Sequence, residues 1–173
     1  RLGDRLPRLV FAGRQGWLIH EFKTTLANDP ELARHVRIVD SPSDRELAYL
    51  YQHCLFTAYP SLYEGWGLPV GEAAWFGKYV ICSNATSLPE VCGGLIDYFD
   101  SGDLTALCAN LERAISDPEY VHRKAQAIAR SPMRLWSDVA DEMHRFIISR
   151  EGSPSTPSPL AAAPHHAADQ LDS

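Results

Sequence analysis

At 173 residues, 45% hydrophobic and 22% charged, the chain has the balance of an ordinary globular protein and the length to bury one sizeable core. A formal charge of −6 excludes a general nucleic-acid surface, which needs a basic stripe, but leaves single arginines, lysines or helix ends able to hold a phosphate. No apolar run is long enough to span a membrane, the opening residues do not read as a signal peptide, and Cys54, Cys82, Cys92 and Cys108 contain no CxxC pair, so they read as reduced thiols of a cytoplasmic protein.

Residues 8–12, RLVFA, are a short apolar run ending at Gly13, the pattern of a buried parallel strand. The segment GWLIHEFKTTLAND then spaces Leu18, Phe22 and Leu26 on one face of a helix. VRIVD, residues 36–40, reads as a second strand. In SPSDRELAYLYQHC, Ser43 and Glu46 form a capping-box pair, and Leu47, Leu50 and Tyr51 form the apolar stripe of the helix that follows. A third strand, CLFTAYP, runs straight into a glycine-rich loop. Pro69 suits the first turn of the next helix and Gly77 its C-terminal stop. YVICS reads as a fourth strand, SLPEV as a short turn or helix start, and LIDYF as a fifth, edge strand. From Asp103 onwards the pattern is helical, with Leu104, Leu107, Leu111 and Ile115 on one face, and PEYVHRKAQAIAR and WSDVADEMHRFIISR continuing the period.

Strands alternating with helices at these lengths imply βαβ units, a parallel sheet and right-handed crossovers. The fold class is therefore α/β, a Rossmann-like parallel sheet flanked by helices. One domain is expected over residues 1–150. Residues 151–173, rich in Pro, Ala and Ser without periodicity, read as a disordered linker or tail; His165 and His166 there are not read as a metal site. The sequence opens at Arg1 in polar material, and the expectation is a piece of a longer polypeptide.

The stretch YPSLYEGWGLPVGEAAW carries the chemistry. Ligands of open parallel sheets sit at the carboxyl ends of the strands, and this loop follows such an end. Gly65 and Gly67 let main-chain N–H groups approach a ligand closely. A helix starting near Pro69 turns its positive end toward the same place, which suits a phosphate. Glu64 falls at the start of the loop and Glu72 in the first turn of that helix. A carboxylate is a poor neighbour for a phosphate but a good acceptor for the vicinal hydroxyls of a sugar or a ribose. The residues alone leave two readings open: a sugar-nucleotide site, or ordinary turn chemistry with a glutamate that merely favours the helix dipole.

The string PSLYEGWGLPVGEAAWFGKYVICSNATSLPEV resembles the signature of the retaining GT-B glycosyltransferases, specifically glycosyltransferase family four (glycosyl transferases group 1). The family pattern is a Glu, seven residues and a second Glu within E-G-F-G-L-P-x-x-E-A, then a Gly, a strand ending in Ser, and S-L-P-E-V. Glu64 and Glu72 match the spacing, and Trp66 replaces the usual Phe. LVFAGRQGW and SDRELAYLYQHC extend the resemblance over most of residues 8 to 148.

The resemblance implies the C-terminal, donor-binding half of a GT-B fold lacking its first β–α unit and the N-terminal acceptor domain, which would complete it in cis. Glu64 is then the catalytic candidate, contacting donor-sugar hydroxyls, with Gly65, Trp66, Gly67 and Leu68 around sugar and diphosphate. Glu72 would hold the ribose diol, and Ser87 and Leu88 would lie beside the nucleotide pocket. The donor would be a nucleotide sugar such as GDP-mannose or a UDP-sugar, with no metal and no cofactor. The acceptor would be a glycan or a lipid-linked glycan, with peripheral association at the inner face of the membrane compatible with this scheme. The Arg and Lys that bind diphosphate in relatives belong to the absent unit; Arg14 stands in the following unit and reads as a phosphate contact or as surface. Trp136, on a helix similar to the family's terminal helix, reads as a packing anchor. The implied activity is retaining transfer, of mannose or a related sugar, in surface-polysaccharide synthesis, with the isolated piece inactive. The reading of another class is a non-catalytic, degenerate transferase domain that binds nucleotide or a protein partner.

Overall fold

A computed structural model describes residues 6–16, 19–132 and 136–151. The chain divides into two compact units, residues 1–132 and 133–173. Residues 152–173 of the expected tail, with its two histidines, lie outside the described residues, as do Trp17 and Leu18; Glu151, the tail's first residue, instead ends a helix.

In the first unit, β1 (Leu9–Gly13) is followed by α1 (His20–Asn28), α2 (Pro30–His35) and β2 (Val36–Asp40). Phe22 of α1 meets Phe11 of β1 edge to face at 4.9 Å, so the apolar face read from the spacing does turn toward the strand. α2 is an addition to the sequence reading. Asp29 caps it by accepting from the Leu32 N–H at 2.9 Å, and Pro30 occupies a position where a missing N–H costs nothing. α3 (Asp44–His53) starts at the capping box, with both reciprocal Ser43–Glu46 bonds formed. Its C-terminus is closed by Lys78, whose Nζ donates to the carbonyls of Gln52 at 2.8 Å and Cys54 at 3.1 Å.

β3 (Thr57–Tyr59), α4 (Leu68–Trp75), β4 (Val80–Ser83), α5 (Leu88–Cys92) and β5 (Asp97–Phe99) complete the strand-bearing part, and α6 (Leu104–Ser116) and α7 (Pro118–Arg130) pack against it. Every strand pairing is parallel, as the alternation of elements requires. Tyr79, Ile81, Phe99 and Ala114 form a buried cluster, with Phe56, Leu107, Leu111, Tyr120 and Val121 against it. Leu104, the first residue of α6, lies off this stripe and is 71% exposed. The four thiols are free. Cys82 and Cys92 are buried, Cys54 is half-buried and Cys108 exposed; burial pushes the Cys82 thiol up to about 12, making it an inert core residue.

The strands form two ladders rather than one continuous sheet. β1 pairs with β2, and β3-β4-β5 form a separate three-stranded sheet with β4 in the centre. Leu9, Val10 and Phe11 are 38–50% exposed, whereas a parallel strand is normally covered on both faces. β1 is therefore not the buried strand its apolar run predicts: all five of its residues are exposed, so its faces are left largely uncovered.

At the amino ends of β4 and β5 a polar cluster ties α7 to the sheet. Asp97 accepts from the hydroxyls of Tyr79 and Tyr120 through Oδ2 and from Lys124 Nζ at 2.7 Å through Oδ1. Burial alone would raise its pKa, but the bonds from Lys124, Tyr120 and Tyr79 outweigh burial and hold the carboxyl below its ordinary value. Asp97→Asn is expected to cost about 1–3 kcal/mol near neutral pH, because Lys124 loses its counter-charge in a half-buried site. The carboxylate's contribution is complete above its unfolded pKa and disappears as pH falls through the lower folded value. Denaturant titrations at pH 7 and in strong acid should therefore show wild type and variant converging in acid; an equal gap at both would exclude this account.

The second unit is described through α8 (Trp136–Glu151). Its Trp136 is 86% exposed. Among the described residues no helix is long and apolar enough to cross a membrane.

Candidate functional site

The loop between β3 and α4 leaves the carboxyl end of β3 at Tyr59 and re-enters helix at Gly67. Gly67 is the N-cap of α4 with φ 88°, a left-handed conformation suited to glycine, and it carries no side-chain cap. A Cβ there would lie 2.3 Å from Cδ2 of Leu88, which is fully buried. Glycine is needed here twice over, for the backbone turn and for the close approach of α5.

Glu64 is held from three sides. Its Oε1 accepts from the Tyr59 hydroxyl at 2.7 Å and from the Ser61 hydroxyl at 2.8 Å, the latter also lying 3.2 Å from the Tyr63 carbonyl. Its backbone is locked to the loop after β4. The Glu64 N–H donates to Thr86 Oγ1 at 3.1 Å, and the Thr86 hydroxyl donates back to the Glu64 carbonyl at 2.7 Å. Ser87, the N-cap of α5, adds a longer bond to the same carbonyl at 3.3 Å. Thr86 has φ 47°, which is costly for a β-branched residue and is maintained by these paired bonds. Among the described residues nothing bonds Oε2 of Glu64, which leaves it available to a ligand.

Glu72 is arranged in parallel fashion. Its Oε2 accepts from the Tyr51 hydroxyl at 3.0 Å, and Tyr51 stacks on Phe76 with ring centroids 5.4 Å apart. The helix begins one residue before Pro69, so Glu72 stands in its second turn, not the first. That shift weakens the account in which Glu72 serves the helix dipole, because the dipole's effect fades beyond the first turn. Burial and then the Glu64 hydrogen bond and charge raise the pKa of the Tyr59 phenol, with the Glu72 charge adding to the effect. Burial and then Glu72 do the same for Tyr51. Both tyrosines are thus protonated donors at neutral pH, and Tyr59 feels both carboxylates.

Trp66 on the loop and Leu68 at the start of α4 are 52% and 64% exposed, and Gly65 is exposed with open space where a Cβ would go. Leu88 presents no side chain to solvent; it forms the floor beneath Gly67. Arg14 stands exposed just beyond β1. The structure brings Ser87 to the Glu64 carbonyl, and it adds Tyr51, Tyr59, Ser61 and Thr86, which the sequence reading did not single out as site residues, around the two glutamates. The available signal was a hydroxyl-bearing residue at the last position of an apolar strand, directly before the loop.

This geometry offers two carboxylates, each anchored through one oxygen, beside a helix N-terminus at the carboxyl end of parallel strands. It can accept hydroxyl hydrogens at two places and a negative group between them.

The structure of this chain is similar to sucrose-phosphate synthase from Thermosynechococcus elongatus, with a TM-score of 0.66, 20% identity, and coverage of 83% of this chain and 38% of that one. It is also similar to the lipopolysaccharide outer core galactosyltransferase WaaB, with a TM-score of 0.59 and 18% identity over 83% of this chain and 41% of that one. These likenesses establish the fold. In sequence, the chain is 32% identical over 131 residues to the O-antigen chain mannosyltransferase B of Escherichia coli, covering 75% of this chain and 34% of the relative. It is 37% identical over 99 residues to the serotype-specific mannosyltransferase WbdA of the same organism, covering 57% of this chain and 12% of the relative. The chain thus spans about a third or less of the length of these relatives. The family model described as "Glycosyl transferases group 1" matches residues 6–130, and with the fold, the loop and both glutamates inside that range, the chain belongs to the glycosyl transferases group 1 family.

Proposed function

We propose that this chain is the donor-binding half of a glycosyltransferase that moves mannose or a related sugar, with retention, from a nucleotide sugar to a glycan or lipid-linked acceptor. Glu64 accepts donor-sugar hydroxyls, Glu72 holds the ribose diol, and the amides from Gly65 to Leu68 with the α4 N-terminus receive the diphosphate. Ser87 and the backbone of Leu88 border the nucleotide. The observation that carries this reading is the free oxygen left on each anchored glutamate. Two named mannosyltransferases among the relatives support the sugar, and the O-antigen context of the first supports surface-polysaccharide synthesis at the cytoplasmic side of the membrane. The scheme calls for no metal: the α4 N-terminus would share stabilisation of the leaving diphosphate with cationic side chains from the rest of the GT-B fold.

The test is calorimetric titration of the full-length protein with GDP-, UDP- and ADP-sugars. One nucleotide should bind selectively, and Glu72→Ala should weaken it by about 1–3 kcal/mol through loss of charge-assisted hydrogen bonds to the ribose. A folded protein that binds none of them would instead be a non-catalytic module.

A further inference from the structure

Glu64 owes its orientation to its neighbours. A free carboxylate rotates about its last torsion, which is broad and two-fold, and presents either oxygen to a ligand. Here Tyr59 and Ser61 converge on the same oxygen, at 2.7 and 2.8 Å. The backbone of Glu64 is fixed independently by Thr86 and Ser87. Tyr59 itself is set by its strand, where it pairs with Cys82 in the β3–β4 register. Ser61 is tied in turn to the strand end next door, its carbonyl accepting from the Ser83 hydroxyl. The chain of restraint therefore runs from the three-stranded sheet, through two hydroxyls, to one carboxylate oxygen.

We infer that Tyr59 is a positioning residue: with Ser61 it pins Oε1 of Glu64 so that Oε2 alone faces the donor sugar and reads one of its hydroxyls. This rests on the donor-binding reading above and adds to it a sheet-anchored source of sugar selectivity. Pre-ordering matters because a reacting group that is correctly aimed before the reaction pays no reorientation cost in the transition state. Loss of the Tyr59 hydroxyl would leave Glu64 in place but able to turn, so discrimination should suffer more than binding.

The experiment measures kcat and KM in the full-length enzyme with GDP-mannose and with GDP-mannose analogues deoxygenated at one mannose position at a time. Four proteins are compared: wild type, Tyr59→Phe, Ser61→Ala and Glu64→Gln. Tyr59→Phe keeps the ring and its packing. It should lower kcat on GDP-mannose about tenfold, the scale of one hydrogen bond to a charged group, with KM little changed. The preference of the enzyme for GDP-mannose over one of the analogues should shrink by a similar factor, and Ser61→Ala should shrink the same preference. A purely structural loosening would slow all donors alike and keep every ratio, and that outcome overturns the inference. If Glu64→Gln is inactive while Tyr59→Phe matches wild type, positioning by Tyr59 is refuted and the site assignment stands. If Glu64→Gln has wild-type turnover, or wild type turns over none of the GDP-, UDP- and ADP-sugars, the donor-site reading falls and the inference falls with it.

Discussion

Replacing Glu64 by glutamine in the full-length enzyme is expected to reduce kcat on the order of a hundredfold to a thousandfold, the loss seen when one preorganised electrostatic contact is removed from an active site. The fold should be untouched, and the reason lies in the anchoring. Tyr59 and Ser61 are both donors aimed at Oε1, so the amide of a glutamine settles with its oxygen in that position and keeps both bonds. Its nitrogen then occupies the place of Oε2. In the proposed role, an acceptor for the sugar becomes a pair of donors, and the negative charge that would stabilise the transition state is gone. Turnover at saturating donor, with far-UV circular dichroism on the same sample, separates the two effects. Wild-type turnover would remove Glu64 from the site.

Gly67→Ala should be the most damaging change to stability near the site. The left-handed backbone costs an ordinary residue about 1–2 kcal/mol. The added methyl would meet Leu88 Cδ2 at 2.3 Å, and overpacking a filled core typically costs about 1–3 kcal/mol more. Leu88 has nowhere to retreat, since it is fully buried and begins α5. The loop would have to lift, carrying Glu64 and the start of α4 with it. Gly65→Ala is the contrast: it has open space and no left-handed backbone, so its stability should be near wild type. Amide-exchange protection across Val80–Ser83 reports the difference, and equal protection in the two variants would show that Gly67 is not under the constraint described.

Much of this was readable from the sequence, and for identifiable reasons. VRIVD matched β2 residue for residue, because β-branched residues bounded by a turn signal leave little choice. The capping box gave the start of α3 because both of its partners are local. Glu64 and Glu72 were singled out by their place around the loop and by the resemblance to the family pattern. What escaped is non-local. Tyr51 reaches Glu72 from 21 residues away, and Thr86 reaches Glu64 from 22. No periodicity records such pairings. β3 is shorter than its apolar run because only Thr57–Tyr59 have a hydrogen-bonded neighbour in β4, and the exposure of β1 depends on what packs against its faces.

The division of the strands into two ladders also bears on how the chain comes apart. β1 and β2 share no hydrogen-bonded strand with β3-β4-β5, and the fully buried side chains are concentrated in the second set. Cooperativity requires shared contacts, and regions that bury less apolar surface open at lower free energy. The pair β1–β2 is the early-opening segment and the three-stranded sheet the late one. On heating, amide exchange in β1–β2 should therefore run ahead of exchange in β3-β4-β5.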